Sequence, residues 1–377
     1  MFAGVAGLLA CTNPSTTSTT TTNPKPPTAT RADPAAVVPG SVGTELILDV
    51  QPWAFGEQAG QVIRTRHYAI HTTERSPAIA ERLPGFMEAA LGHYRSVLTA
   101  LPAPTPVLET FVMADRKQWQ AMVRQVLGPQ GEPATRIRRG GLTYRGRAML
   151  FDIGAGDTLS IASHEGWHQY TQTTFRQPMP VWLEEGMATY VEGHRWVGRT
   201  VVFGPWANVA RYDRLKQAFA QKQLRPLEEL LTNTPGSMLG MDWPGKLTPE
   251  MLNKPVPSQD APVIWYAQVW ALMHFLAEGE GGKYRSAVIQ ALTDASTGNL
   301  RQGTAIKPGL DTDRQAIGLP GGLLVFRAYF GEDLAGLDAE YQRFIAELSA
   351  NGVRTAIVAG RSPLATAKPD KADRTGD

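Results

Sequence analysis

At 377 residues the chain is long enough for one large or two modest domains with a substantial core, and its apolar content is that of an ordinary folded protein. A formal net charge of +2, with no basic block and no arginine-rich stripe, argues against nucleic acid as a partner. The single cysteine, Cys11, leaves no disulfide possible within the chain.

The first element in chain order is a short apolar run ending in Leu8-Leu9-Ala10-Cys11. It is too short to span a bilayer as a helix and reads as the end of a secretory signal. The four residues are similar to the lipobox of bacterial lipoproteins, in which the signal is cleaved before the cysteine and the thiol is lipidated. That resemblance implies lipidation at Cys11, a membrane contact through an N-terminal lipid anchor, and a place in the cell envelope on the periplasmic or extracellular face. Residues 12–40 are Thr, Ser, Pro and Asn with almost no large apolar side chains. Such a segment buries too little surface to offset its ordering entropy, so a disordered tether is expected.

Residues 41–156 are expected to form an N-terminal α+β sublobe with a small, mostly antiparallel sheet. Strands are predicted in "TELILDV", "RTRHYAIHT", "VLETFVMA" and "GGLTYRGRAMLFD". Between them, "SPAIAERLPGFMEAALGHYRSVLTAL" reads as a helix with Ser76 as its cap and Pro77 first, and "DRKQWQAMVRQVLG" as a helix capped by Asp115. Residues 157–350 turn helical: "DTLSIASHEGWHQYTQTTF", "MPVWLEEGMATYVEGHRW", "VARYDRLKQAFAQK", "RPLEELLT", "PVIWYAQVWALMHFLAEG", "GKYRSAVIQALTD" and "LAGLDAEYQRFIAELSAN". A Pro- and Gly-rich loop is expected over about 233–261, of a length that is often functional. Residues 351–377 are expected as a disordered tail.

The chemistry concentrates in "SHEGWHQY", Ser163 to Tyr170. Residues four apart on a helix share a face, so His164 and His168 can aim at one ion, with Glu165 on the adjoining edge. Zinc takes neutral imidazole readily and keeps a position open at catalytic sites. A divalent ion there would activate water while a nearby carboxylate takes the proton. A tetrahedral protein site needs a third ligand. The metzincin pattern would place Gly at 171 and His at 174, which are Thr171 and Thr174, so that class is excluded. "VWLEEGMATYVE" begins 13 residues after His168 and offers Glu184 and Glu185. An antiparallel helix pair would bring such a carboxylate beside the imidazoles.

His-Glu-x-x-His followed by Trp-Leu-x-Glu-Gly resembles the gluzincins, metallopeptidases whose third zinc ligand is a glutamate. The wider pattern "HEGWHQY…PVWLEEGMATYVEG…WYAQVWALMHFL" is closer still to an uncharacterised bacterial group within the peptidase MA-like superfamily, over roughly residues 60–290. The resemblance implies a zincin-like fold, an edge strand near Gly140 to Asp152 that a peptide substrate could join by β-augmentation, and one zinc per chain on His164, His168 and Glu185. Glu185 rather than Glu184 is implied because the glutamate before the glycine is the ligand. The two lie about 100° apart around the helix and cannot face the metal equally. Glu165 is implied as general base and Tyr266, on a later helix, as the group stabilising the oxyanion. The Gly-x-Met-Glu-Asn motif that holds a free amine in the aminopeptidase branch is missing, which leans toward attack within a chain or on another amide.

The expected function is a zinc-dependent metallopeptidase acting on a peptide or protein. The alternative is a catalytically inactive, zinc-binding envelope lipoprotein serving as a binding or structural module. Bland roles remain for several residues. Tyr170 and Tyr190 read as packing residues and His194 as an exposed cap. His67, His71, His93 and His274 carry no spacing signal. Glu192 and Thr189 read equally well as supports for the ligands or as a solvated helix face.

Overall fold

A hairpin near the start of the folded part sets up a six-stranded sheet. The computed structural model describes residues 39–40, 46–137, 140–235, 260–301 and 321–366. After a two-residue strand, Pro39–Gly40 (β1), come Asp49–Phe55 (β2) and Gln58–Arg64 (β3), paired antiparallel around a turn in which Gly56 takes φ 58°. Tyr68–Thr72 (β4) pairs antiparallel with β3. Helices Pro77–Ala80 (α1) and Leu83–Tyr94 (α2) then carry the chain to Leu108–Met113 (β5), and Arg116–Leu127 (α3) carries it on to the hairpin Gly141–Tyr144 (β6) and Arg147–Phe151 (β7). The sheet order is β2-β3-β4-β5-β7-β6.

Three of the five strand pairings are antiparallel, as expected, and two are parallel. β4 with β5 and β5 with β7 are parallel pairs, while both ends are antiparallel hairpins. The reason lies in the connections. Between β4 and β5 a helical crossover returns the chain to the end where β4 began, and between β5 and β7 the strand β6, antiparallel to both, makes the return, so both central pairs are parallel. The long helix expected after Ser76 breaks between α1 and α2, where Pro84 sits in the first turn of α2. Pro77 does open α1, but the Ser76 side chain makes no cap bond, whereas Asp115 accepts from the Gln118 N–H at 2.9 Å as its spacing predicts.

The two sheet edges differ. Phe55 and Gln58 close the first hairpin, so by alternation the Pro52–Gln61 pair is the non-bonded kind and the Pro52 nitrogen faces the open side of β2. With no N–H there, β2 is a poor edge for another strand. β6 carries no such block.

The helical part begins with Ala155–Thr174 (α4) and Val181–Val191 (α5). A second small sheet follows, in which His194–Val197 (β8) pairs with Thr200–Phe203 (β9) and β9 with β1. The sequence reading ran α5 on through His194, and this hairpin replaces its last turn. Then come Val209–Ala220 (α6), Leu227–Thr232 (α7), Asp260–Glu278 (α8), Arg285–Thr297 (α9), Gly322–Phe330 (α10), Leu334–Leu348 (α11) and Val353–Val358 (α12). The tail expected from 351 is therefore folded at its start, because Ile357 of α12 is fully buried; residues 367–377 lie outside the described residues. Cys11 and most of 12–40 also lie outside them, as does most of the loop expected over 233–261. Among the described residues no helix is long and apolar enough to cross a membrane.

α2 and α4 pack on one face of the sheet, against Ile63, Ile70, Leu108, Val112 and Leu150, and that core continues without interruption to Trp182, Trp270, Leu323 and Ile357. It crosses the boundary expected near 156, where α4 has already begun. On the opposite face α3 seats Trp119 against Phe151 and Met149, with the indole N–H donating to the Met149 carbonyl at 2.9 Å.

One buried histidine gives this core a pH dependence. His93 on α2 is 2 % exposed, lies against Phe203, and neither ring nitrogen has a hydrogen-bond partner. Burial pushes its imidazole down to about 3. The unfolded chain titrates near ~6.5, so between those values the unfolded state binds the extra proton. His93 is therefore neutral in the stable protein at pH 7 and withdraws stability as pH falls, by about 1.4 kcal/mol per pH unit in that window. Thermal unfolding of wild type and His93→Leu at pH 7 and pH 4 is expected to show the variant gaining on wild type by about 3 kcal/mol at the lower pH.

Candidate metal centre

α4 is buried on all sides from Thr158 to Thr171 apart from one turn edge, which explains its weak amphipathic pattern: it runs through the middle of the molecule. Its His164 and His168 rings stand 4.9 Å apart, and α5 crosses beside them. The close crossing of α8 over α5 depends on Gly186, where a Cβ would fall 2.9 Å from the Met273 Cγ. The residue before it, Glu185, reaches both imidazoles: its Oε2 lies 3.3 Å from His164 Nε2 and 3.5 Å from His168 Nε2.

His164, His168 and Glu185 form a buried group that could hold a metal ion, with their ligand atoms all within 4.8 Å of one another. His164 Nε2, His168 Nε2 and Glu185 Oε2 are each buried without a hydrogen-bond partner. Buried polar atoms are ordinarily satisfied, so three orphans facing one point fit a cation that completes them. Burial pushes the Glu185 carboxyl up, but His168 and His164 outweigh it and hold it at about 2.

Each histidine is gripped on its far side by a carboxylate. Glu184 Oε1 lies 2.8 Å from His168 Nδ1 and also accepts from the Thr171 hydroxyl at 2.7 Å. Glu192 Oε2 lies 2.8 Å from His164 Nδ1. Such contacts fix Nδ1 as the protonated nitrogen and leave Nε2 for the metal. Burial raises Glu192, and Arg211 and His164 outweigh it, holding it at about 2. Glu184 is thus no rival to Glu185 for the metal; the 100° between them sends it to the back of the neighbouring ring. Of the two sequence candidates for support, Glu192 takes that role, while the Thr189 hydroxyl bonds to the Gly186 carbonyl of its own helix.

Glu165 lies under β6, close enough to both imidazoles to feel their charge. Its Oε2 accepts from the Thr143 hydroxyl at 2.8 Å, and its Oε1 is buried with no partner. Burial raises this carboxyl above the ordinary range, and the two imidazoles and Thr143 offset only part of the rise. Gly141 completes the contact, since a Cβ there would fall 2.6 Å from the Glu165 Cγ. The edge strand expected over 140–152 is in fact a hairpin. Arg145 (φ 49°) and Gly146 (φ 73°) make its turn, and only β6 is at the edge. Tyr144 and Arg147 close the turn, so by alternation the N–H and C=O of Gly141 and Thr143 face the open side.

Tyr266 on α8 is buried, and its ring stands edge-on to His164 at 5.9 Å between centroids. A cavity of about 260 Å³ opens beside His164 and Glu165, between the first half of α4 and α6, with Val263 of α8 at its wall.

The remaining histidines have other places. His67 pairs with Glu88, His71 stacks on Phe111, and His274 lies within Trp206, Trp270 and Tyr190. His194 is half-buried in β8 against Phe86 rather than an exposed cap. Tyr170 packs in the core and donates to the Pro102 carbonyl. Sequence reasoning missed Thr143, Asn208 and Arg211. Arg211 sits on an amphipathic helix where a solvated arginine is the default, and nothing in its spacing marks it. Comparison of the chain with family models, characterised proteins and solved structures finds no match, so the site stands on its own geometry: a buried His2Glu group with a carboxylate and an open strand edge beside it.

Proposed function

We propose that the protein is a zinc-dependent metallopeptidase of the gluzincin kind, holding zinc with His164, His168 and Glu185. The observation that carries this reading is the convergence of unpartnered buried atoms: two imidazole nitrogens and one carboxylate oxygen, with the free Oε1 of Glu165 in the same site. Two neutral imidazoles and a carboxylate are the donor set of open catalytic zinc sites. When bound, the ion supplies Lewis-acid activation of water and of the substrate carbonyl.

The chain's own residues do the rest. Glu184 and Glu192 orient the imidazoles. Glu165, with its raised carboxyl, takes the proton from water as it attacks and delivers it to the departing amine. Thr143 and Gly141 hold that carboxylate in place from β6. The Tyr266 hydroxyl donates to the carbonyl oxygen as charge develops there. An extended peptide pairing with the outward groups of Gly141 and Thr143 would pass directly over Glu165. The lipid anchor at Cys11, and with it an envelope location, belongs to the same proposal on the lipobox resemblance.

The test is hydrolysis of denatured casein by the purified full chain. Activity is expected with about one zinc per chain, lost on chelation and restored by added zinc. Stoichiometric zinc without hydrolysis of casein or of a broad peptide library would instead support a zinc-binding module.

A further inference from the structure

We propose that Arg211 is a positioning residue that holds a metal ligand and the candidate oxyanion residue in register; this rests on the metallopeptidase reading above. Arg211 lies on the first turn of α6, outside the His-Glu-x-x-His and Trp-Leu-x-Glu-Gly motifs, and is buried. Its guanidinium does two things at once. Nε donates to Glu192 Oε1 at 2.7 Å and Nη2 to Glu192 Oε2 at 3.3 Å. The same Oε2 lies 2.8 Å from His164 Nδ1, so the chain of contacts runs Arg211, Glu192, His164. The guanidinium meanwhile lies over the Tyr266 ring, with Cζ 5.1 Å from its centroid.

The local sequence builds this joint. Asn208 caps α6, its Oδ1 accepting from the Arg211 N–H, and its Nδ2 donates to Glu192 Oε1 at 2.8 Å and to the Thr189 carbonyl at 3.0 Å. The first turn of α6 is thereby tied to the end of α5. From there the arginine reaches α8, its guanidinium lying over Tyr266 while its N–H groups serve the Glu192 carboxylate. A lysine has the charge and lacks that geometry. A site spread over α4, α5 and α8 needs such a tie, because a small displacement between a metal ligand and an oxyanion donor is costly to rate.

The experiment compares wild type, Arg211→Lys, Arg211→Met and Glu192→Gln as full chains. The readouts are zinc affinity by chelator competition, the visible absorption of the cobalt-loaded protein, and kcat and KM on casein. Arg211→Met and Glu192→Gln are each expected to weaken zinc binding about 10–100-fold, since both release His164. They are also expected to shift the cobalt band. Arg211→Lys is expected to recover zinc affinity to within about threefold while kcat stays about tenfold low with KM unchanged, because the ring contact is not restored. Unaltered zinc affinity in Arg211→Met, or full recovery of kcat in Arg211→Lys, would overturn the proposal while leaving the metallopeptidase reading intact. If Arg211→Met does not fold, the lysine variant alone decides. A wild type that binds no zinc would remove both.

Discussion

Zinc-loaded Glu165→Gln is expected to keep its metal and to lose hydrolysis of denatured casein by about 10²–10⁴-fold. The substitution is nearly isosteric and leaves His164, His168 and Glu185 untouched. A Gln amide can still meet the Thr143 hydroxyl, so folding is not expected to suffer. What disappears is the acceptor assigned to water's proton: Glu165 Oε1 is buried without a hydrogen-bond partner, whereas Glu184 and Glu192 are both committed to ring nitrogens. Gly141→Ala is expected to resemble it, with zinc retained and kcat reduced, because its methyl would overlap the Glu165 side chain. Metal content and kcat measured on the same preparations check both variants. If Glu165→Gln hydrolyses casein like wild type, the assigned base is wrong.

Changes to the metal group are expected to separate into two grades. His164→Ala, His168→Ala and Glu185→Ala each remove one of three donors, and stoichiometric zinc should be lost. Glu184→Gln removes no donor, which by itself would leave zinc binding unchanged. The geometry says otherwise. The 2.8 Å contact to His168 Nδ1 orients that ring and strengthens its Nε2 as a base, and its loss is expected to weaken zinc binding about 10–100-fold. Competition against a chelator of known affinity resolves the grades. A Glu184→Gln variant as empty as Glu185→Ala would mean the two glutamates have been assigned the wrong way round.

The sign of the acid limb follows from Glu165. A general base works deprotonated, and burial raises this carboxyl above the usual carboxylate range. kcat is accordingly expected to fall as acid protonates Glu165, and to lose that limb in Glu165→Gln.

Local pattern was enough for the elements whose partners are near in sequence. The spacing of His164, Glu165 and His168 on one helix face needs only the 3.6-residue period, and a short turn to the next helix offers both Glu184 and Glu185, between which the gluzincin resemblance implies Glu185. Asp115 capping α3 and the strand run from Leu108 to Met113 are legible for the same reason. Tertiary structure decided whatever depends on neighbours far along the chain. Parallel pairing in the middle of the sheet follows from how the chain returns, through helices between β4 and β5 and through β6 between β5 and β7, not from the composition of β4, β5 or β7. The break of one apolar run into β6 and β7 set the open edge beside Glu165, and only packing shows that Gly141 is needed there. Glu184, Glu192 and Arg211 look like ordinary helix-surface charges until α4, α5, α6 and α8 close around them. Burial then makes each charge costly unless it is paired, and it is that requirement that turns them into supports for the site.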